Sequence, residues 1–254
     1  MRKTVLITGA TSGIGEAAAM KFAEASYRII ITGRRKERLE DLAAHLLSNF
    51  DTEVLVLCFD VRQKIEVDNH LGNLPEEWKK IDILVNNAGL AVGLNPIDKG
   101  DTDDWDRMID TNVKGLLYVT RVVSPGMVER GSGHIINISS IAGKDVYPNG
   151  SVYCASKHAV DALSKAMRID LLNHGIKVTN IAPGMVETEF SLVRFKGDSE
   201  KASAVYTGIE PLRPEDIAEV IFYCANTPDH VCISDLVITP KAQANAFTSH
   251  RKTK

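Results

Sequence analysis

Seven short apolar runs recur along the chain and are separated by longer stretches with helical spacing of apolar residues. The runs are rich in valine, isoleucine and leucine and occupy residues 5–7, 29–31, 54–57, 83–85, 135–138, 178–181 and 236–238. A strand that is apolar on successive positions is covered on both faces, as in a parallel sheet. The pattern therefore predicts a seven-stranded, mostly parallel sheet with helices on both faces.

The stretches between the runs predict helices over residues 15–25, 36–49, 63–73, 103–129, 152–173 and 214–225. Asp103 and Pro214 are typical of helix N-termini, whereas Pro125 is expected to bend or end the fourth helix. Strand–helix alternation over the whole length predicts a single α/β domain, a doubly wound Rossmann fold over residues 1–254. We expect a cofactor half at about 1–130 and a catalytic and substrate half at about 131–250.

The composition fits a globular protein with a sizeable core, since 44% of the 254 residues are hydrophobic and 25% are charged. A net charge of −3 does not suggest a nucleic-acid or membrane partner. The first run follows Met1 so closely that we expect no leader peptide and a cytoplasmic location. The four cysteines have neither CxxC spacing nor neighbouring histidine clusters, so no metal site is expected.

A glycine-rich turn follows the first run directly and leads into the first helix. Glycines allow the backbone to approach a pyrophosphate, and a helix N-terminus offers free N–H groups. The glycine spacing differs from G-x-G-x-x-G, so a tight strand–helix turn is the alternative interpretation. The cofactor contacts expected here are Gly9, Thr11, Ser12, Gly13, Ile14 and Gly15.

The second run ends in Gly33-Arg34-Arg35, where sites for NAD commonly place an acidic side chain on the ribose. Gly33 leaves that position empty, whereas Arg34 and Arg35 carry guanidinium groups suited to a 2′-phosphate. The alternative is two arginines that face water at a helix start. We therefore predict NADP rather than NAD as the cofactor.

Two further loops follow strands on the predicted cofactor side. Asp60, with Val61 after it, is placed to accept a hydrogen bond from the adenine amino group, and the small residues of Asn87-Ala88-Gly89 would leave room for the adenine ribose. Each stretch could equally be a plain loop.

Tyr153 and Lys157 lie four residues apart in the predicted fifth helix, thirteen residues after Ser140. Side chains at this spacing are neighbours on one helix face. A lysine ammonium beside a phenol favours the phenolate and lowers the tyrosine pKa, so that tyrosine can exchange protons with an alcohol or carbonyl. Tyr-x-x-x-Lys alone is common on ordinary helices.

Taken together, these elements resemble the short-chain dehydrogenase/reductase family over essentially the whole chain. The matching pieces are the glycine-rich turn, Asn86-Asn87-Ala88-Gly89, Asn112, Ser140, Tyr153-x-x-x-Lys157 and Pro183-Gly184. The resemblance implies that Ser140 polarises the substrate and that Asn112 holds a water near the lysine. It also implies cofactor contacts by Tyr153 and Lys157, and nicotinamide contacts in the loop after the sixth strand, at Pro183, Gly184, Val186 and Thr188.

A closer likeness appears in residues 81–91, 125–130 and 193–198. With Gly33-Arg34-Arg35, these segments resemble the NADP-dependent 3-hydroxy acid dehydrogenases. That resemblance implies oxidation of serine, L-allo-threonine or 3-hydroxypropionate-like acids, or reduction of the matching semialdehydes.

A small anionic substrate needs a cation, and Arg194 is our candidate because an arginine can hold a carboxylate through two hydrogen bonds. Lys196 is a weaker alternative, and a solvated arginine near a helix end would have the same sequence. The acid would also contact Ser140 and Tyr153.

Two other functions fit the same motifs. One is a reductase for a larger carbonyl, such as a 3-oxoacyl thioester, sugar or steroid. The other is a non-catalytic NADP sensor, against which the presence of Ser140, Tyr153, Lys157 and Asn112 argues. Family resemblance further implies a homotetramer, and the role of the tail after Pro240 stays open.

Overall fold

The computed structural model describes residues 2–252 and contains the predicted seven-stranded sheet within them. Met1 and residues 253–254, the ends of the predicted domain, lie outside this range. The sheet order is β3-β2-β1-β4-β5-β6-β7, and all neighbouring strands run parallel. The strands are β1 Thr4–Thr8, β2 Arg28–Gly33, β3 Glu53–Cys58, β4 Ile83–Asn86, β5 Gly133–Ile138, β6 Ile176–Pro183 and β7 Asp235–Ile238.

Helices cover both faces of the sheet. They are α1 Gly13–Glu24, α2 Lys36–Asn49, α3 Lys64–Gly72, α4 Thr102–Ile109, α5 Leu116–Arg130, α6 Ser151–Leu171, α7 Phe190–Arg194, α8 Ser199–Ala204 and α9 Pro214–Ala225. Side chains of α1, α2 and α9 form one buried cluster, and those of α3, α5 and α6 form another. Ile29 and Ile31 belong to the first cluster and Ile30 to the second, which is why strand β2 is apolar throughout. The predicted doubly wound Rossmann fold is confirmed.

The long helix expected over residues 103–129 is divided in the structure. A π-helical turn, Asp110–Gly115, separates α4 from α5. Pro125 lies inside α5, which continues to Arg130, so the expectation that this proline could end the helix is wrong. Val123 and Met127 on either side of it are buried against the sheet, and their packing holds the helix together across the missing N–H group.

Two short helices, α7 and α8, follow strand β6, and we call residues 190–204 the lid segment. The Lys196 ammonium lies 2.7 Å from the Asp104 carboxylate and 3.2 Å from that of Asp101, at the start of α4. Gly93 donates its backbone N–H to the Arg194 carbonyl at 3.0 Å. These contacts hold the lid segment beside α4. The Lys196 ammonium is paired with two carboxylates there, so it does not take the substrate-binding role that was its alternative assignment.

The strand order shows which part of the sheet edge is expected to bind the cofactor. Chain connections from β1 and β4 depart to opposite sides, so a crevice opens where these adjacent strands end. Ligands of doubly wound sheets bind at this switch point. Within residues 2–252, none of the helices combines the length and apolarity that a membrane crossing requires.

Candidate active site

A cavity of about 600 Å³ lies at the carboxyl ends of the strands. It brings together all but two of the site residues predicted from the sequence, and the exceptions are buried beside it. Gly15 packs on the Gly9 carbonyl, where an added Cβ would lie 2.4 Å from the oxygen, and Asn112 lies behind Gly89. The predicted residues that line the cavity are Gly9, Thr11, Ser12, Gly13, Ile14, Arg34, Arg35, Asp60, Val61, Asn87, Ala88, Gly89, Ser140, Tyr153, Lys157, Pro183, Gly184, Val186, Thr188 and Arg194.

The glycine-rich turn has the geometry that a dinucleotide phosphate requires. Gly9 and Gly13 have φ angles of +69° and +57°, in the left-handed region that favours glycine. A Cβ on Gly9 would lie 2.8 Å from the Ala88 Cα, so the two loops are in contact. Helix α1 begins at Gly13, and its first N–H groups are available to an anion.

The two arginines after β2 have different surroundings. Arg35 donates to the Thr11 hydroxyl at 2.8 Å, the Ser12 hydroxyl at 2.8 Å and the Glu189 carboxylate at 2.8 Å. The Arg34 side chain is 54% exposed, and its nearest carboxylate oxygen, on Asp60, is 3.8 Å away. Arg34 therefore has the guanidinium free for a phosphate, whereas Arg35 is held by the protein.

Glu189 connects the two sides of the cleft, and no motif in the sequence points to it. It lies between Thr188 and the lid segment and binds Arg35 at 2.8 Å and Arg38 at 2.6 Å. Hydrogen bonds from these arginines lower the pKa of the Glu189 carboxyl to about 2. We call these two ion pairs the clasp. Thr188 itself packs against Gly13 on the same turn.

The loops expected to meet adenine are held by their own hydrogen bonds. Arg62 binds the Asp60 carboxylate at 2.6 and 2.9 Å. Burial raises the pKa of Asp60, but the Arg62 hydrogen bonds outweigh it and hold that pKa below its usual value. The Asn87 amide donates to the Thr8 carbonyl at 2.9 Å and so ties the end of β4 to that of β1. Contacts of these loops with adenine stay a prediction.

Tyr153 and Lys157 lie in the first turns of α6 and are 8% and 5% exposed. The Lys157 Nζ donates to the Ile138 carbonyl at 2.9 Å and lies 5.9 Å from the centre of the Tyr153 ring. Ser140 begins a short turn after β5, where its hydroxyl accepts a hydrogen bond from the Ala142 N–H at 3.1 Å. The predicted neighbourhood of serine, tyrosine and lysine is therefore present.

The electrostatics of this group differ from the sequence-based expectation. Burial raises the pKa of the Tyr153 phenol, and the Arg194 guanidinium and a hydrogen bond with Ser140 oppose that shift. Burial also lowers the pKa of Lys157 to about 8. The expectation that Lys157 sets a low tyrosine pKa is wrong for this structure, because the ammonium is directed to the Ile138 carbonyl and desolvation dominates.

Asn112 lies in the π-helical turn and is 2% exposed. Its amide donates to the Leu90 carbonyl at 2.8 Å and the Ser156 hydroxyl at 3.0 Å, and its oxygen accepts from the Leu90 N–H at 2.8 Å. Such turns often occur at functional sites. Asn112 thus fixes the backbone next to Gly89, and its proposed water near Lys157 stays a prediction.

Arg194 enters the cavity from the end of α7. Its Nη2 donates to the Tyr147 hydroxyl at 2.9 Å, and its buried Nε has no hydrogen-bond partner among the described residues.

The C-terminal tail after Pro240, whose role could not be predicted from the sequence, also reaches the cavity. Gln243 accepts a hydrogen bond from the Met185 N–H at 2.8 Å, and Arg251 donates to the carbonyls of Val205 and Thr207 beside the lid segment.

Known proteins are similar to this chain in sequence and in fold. Residues 3–198 match the short chain dehydrogenase family. An NADP-dependent 3-hydroxy acid dehydrogenase of Salmonella typhi is 49% identical over 97% of this chain and 99% of its own length. Sulfoacetaldehyde reductase 2 of Chromohalobacter salexigens is 47% identical over 99% of this chain and 100% of its own. The closed form of a serine dehydrogenase complexed with NADP+ superimposes with a TM-score of 0.91, at 47% identity over 98% of this chain and 100% of that one. The chain belongs to the short-chain dehydrogenase family.

Proposed function

We propose that this protein transfers hydride between NADP and a small 3-hydroxy acid, or the matching semialdehyde. The acids expected are of the serine, L-allo-threonine or 3-hydroxypropionate type. An NADP-dependent oxidoreductase follows from the family together with NADP-dependent relatives that match nearly the whole chain. The observation that carries the substrate class is Arg194, a cation beside Tyr153 in the same cavity.

The residues of the chain handle the proton and the charge. NADP, when bound, supplies the acceptor or donor of the hydride. The Tyr153 phenolate oxygen takes the alcohol proton during oxidation, and the resulting phenol returns a proton during reduction. Ser140 donates a hydrogen bond to the substrate oxygen and stabilises the charge that develops there. Lys157 supplies a cation on the same side of the cavity, and Asn112 holds the backbone beside it.

Arg194 supports an acidic substrate over a bulky neutral one. A guanidinium with a buried N–H group that lacks a partner is costly unless an anion completes its hydrogen bonds. The cavity of about 600 Å³ must hold the dinucleotide as well as the substrate, which favours a small molecule. A large carbonyl substrate would have to displace Arg194 and the rings of Tyr147 and Phe190 around it.

Arg194→Met tests this assignment in a panel of serine, allo-threonine, 3-hydroxypropionate, 3-hydroxyisobutyrate and isethionate. We expect KM for the acids to rise about 10- to 100-fold, because a charge-assisted hydrogen-bonded pair is lost. Lys201→Met is the control, since Lys201 is an exposed cation of the lid segment paired with Asp198. An unchanged KM in the Arg194 variant, or turnover of bulky neutral alcohols only, would refute the substrate class.

Arg34→Ala tests the cofactor assignment. We expect kcat/KM for NADP+ to fall about 10- to 100-fold and that for NAD+ to change by less than about threefold, since only the first carries a 2′-phosphate. Arg35→Ala serves as the contrast. It should impair both cofactors, because Arg35 braces Thr11 and Ser12 of the glycine-rich turn. Equal losses for both cofactors in Arg34→Ala would contradict the assignment.

The homotetramer and the cytoplasmic location are also proposals. Exposed apolar side chains at the end of α6 support association, since Ile169 is 74% and Leu172 is 66% exposed. Packing of α6 against a second copy of the chain would remove these side chains from water.

A further inference from the structure

Arg194 lies among three aromatic rings of the cavity. Its Cζ is 4.9 Å from the centre of the Tyr153 ring, 5.2 Å from that of Phe190 and 5.8 Å from that of Tyr147. All three distances are within the range of a cation–π contact, which is about 6 Å. The shortest one joins a residue of the lid segment to the proposed acid–base residue.

Two cations face the Tyr153 ring, and they differ in position and commitment. The Lys157 Nζ is 5.9 Å from the ring centre and donates to the Ile138 carbonyl. Arg194 is a full ångström closer, and its charge has no carboxylate partner among the described residues. Because Coulomb attraction falls with distance, the nearer charge interacts with the ring more strongly.

We infer that Arg194, besides any contact with substrate, stabilises the Tyr153 phenolate through the ring face and so sets the strength of the acid–base group. Removal of the phenolic proton places negative charge on the ring, and a cation above the ring then binds it more tightly. Because Arg194 belongs to the lid segment, Tyr153 gains this charge only when the lid segment is in place. The inference rests on the proposed role of Tyr153 and not on the identity of the acid.

The other ionisable groups around Tyr153 leave Arg194 as its main charged partner. Cys154 is neutral because burial raises its pKa, and burial likewise keeps Tyr147 protonated. Asp104 of α4, which lines a smaller pocket on the other side of Tyr153 and Arg194, is paired with Lys196 at 2.7 Å. Burial raises the pKa of Tyr153, and Arg194 is the charge that most lowers it.

A direct titration of Tyr153 tests the inference without any substrate. The protein is labelled throughout with 3-fluorotyrosine, which lowers the phenol pKa into a range where the fold survives, and the six resonances are assigned by single Tyr→Phe variants. Fluorine NMR then follows each phenol with pH. In Arg194→Met we expect the Tyr153 midpoint to rise by about 0.4 to 1.5 pH units.

Two comparisons separate the charge from a loss of packing. Arg194→Gln should match Arg194→Met, and Arg194→Lys should recover part of the shift. The Tyr206 resonance should stay in place, because its hydroxyl binds Ser191 and the Val186 carbonyl instead. An unchanged Tyr153 midpoint in both neutral variants would overturn the inference, and so would equal shifts in Arg194→Lys and Arg194→Met. Neither result depends on whether KM for acids changes, so the substrate proposal stands or falls separately.

Discussion

Tyr153→Phe should lower kcat for alcohol oxidation by about 10²- to 10⁴-fold, the range that a positioned acid–base group supplies. The substitution removes one oxygen and leaves the ring, with its edge-to-face contact to Phe190 at 5.6 Å, in place. NADP+ affinity should therefore stay within about threefold of the parent, because binding does not depend on proton transfer. Steady-state kinetics and fluorescence titration of NADPH measure the two quantities.

Tyr27→Phe is the matched control for this variant. Tyr27 is as buried as Tyr153, at 8% exposure, but its hydroxyl donates to Asn226 at 2.7 Å, far from the cavity. The control should lose about 1 kcal/mol of stability and retain turnover. If Tyr153→Phe kept more than a tenth of the parent kcat, another group would have to transfer the proton.

Lys157→Met should abolish turnover and yet raise the free energy of unfolding at pH 7. Lys157 is 5% exposed, and its described hydrogen-bond acceptor is one carbonyl, that of Ile138. The pKa depression to about 8 means that burial of the charged form costs about 3 kcal/mol. Methionine fills a similar volume without charge and so avoids this cost. The Ile138 carbonyl then lacks its donor, which offsets about 1–3 kcal/mol of the stabilisation. Urea unfolding and kcat measure the two effects.

The pH dependence of the stability difference between Lys157→Met and the parent identifies its cause. Between pH 8 and 10.5 the unfolded chain holds a proton on this lysine that the folded protein has lost, so the parent becomes more stable as pH rises through that window. Below pH 8 the folded protein carries the charged lysine, and the full cost of burying that charge applies. The advantage of Lys157→Met should thus be largest at pH 7 and shrink by pH 10. A constant difference would exclude desolvation as its source.

Lys144→Met provides the opposite expectation for a lysine with partners. The Lys144 ammonium binds Asp161 at 2.5 Å and Asp235 at 2.8 Å, and it joins α6 to β7. Its removal leaves two carboxylates close together without the cation between them, so the protein should lose stability. The two lysines therefore separate an unpaired buried charge from a paired one.

The sheet and its helices could be predicted because burial on both faces leaves a direct trace in the sequence. Ile29, Ile30 and Ile31 contact alternate faces, so each must be apolar. The π-helical turn Asp110–Gly115 left no such trace, because its side chains keep a helical pattern across it. Helices α7 and α8 span five and six residues, too few to show a period.

The members of the site were largely predictable, but their charges were not. Motifs located Tyr153 and Lys157 from residue type and spacing, and the need of an anionic substrate for a cation pointed to Arg194. Desolvation, which raises the pKa of Tyr153, depends on everything packed around the phenol and is invisible in a motif. The sequence also could not show that Arg35 is held by the protein while Arg34 stays exposed. That difference depends on Glu189, which lies more than 150 residues away in the chain.

The stretch from Thr188 to Arg194 touches both ends of the cleft. Thr188 packs on Gly13, Glu189 closes the clasp with Arg35, and Arg194 stacks on Tyr153. Helix α7 carries the chain from the first two contacts to the third, so a movement that opened the first two would also displace Arg194. A change in the position of this stretch at the nucleotide end of the cleft therefore reaches the Tyr153 ring through one short segment of chain.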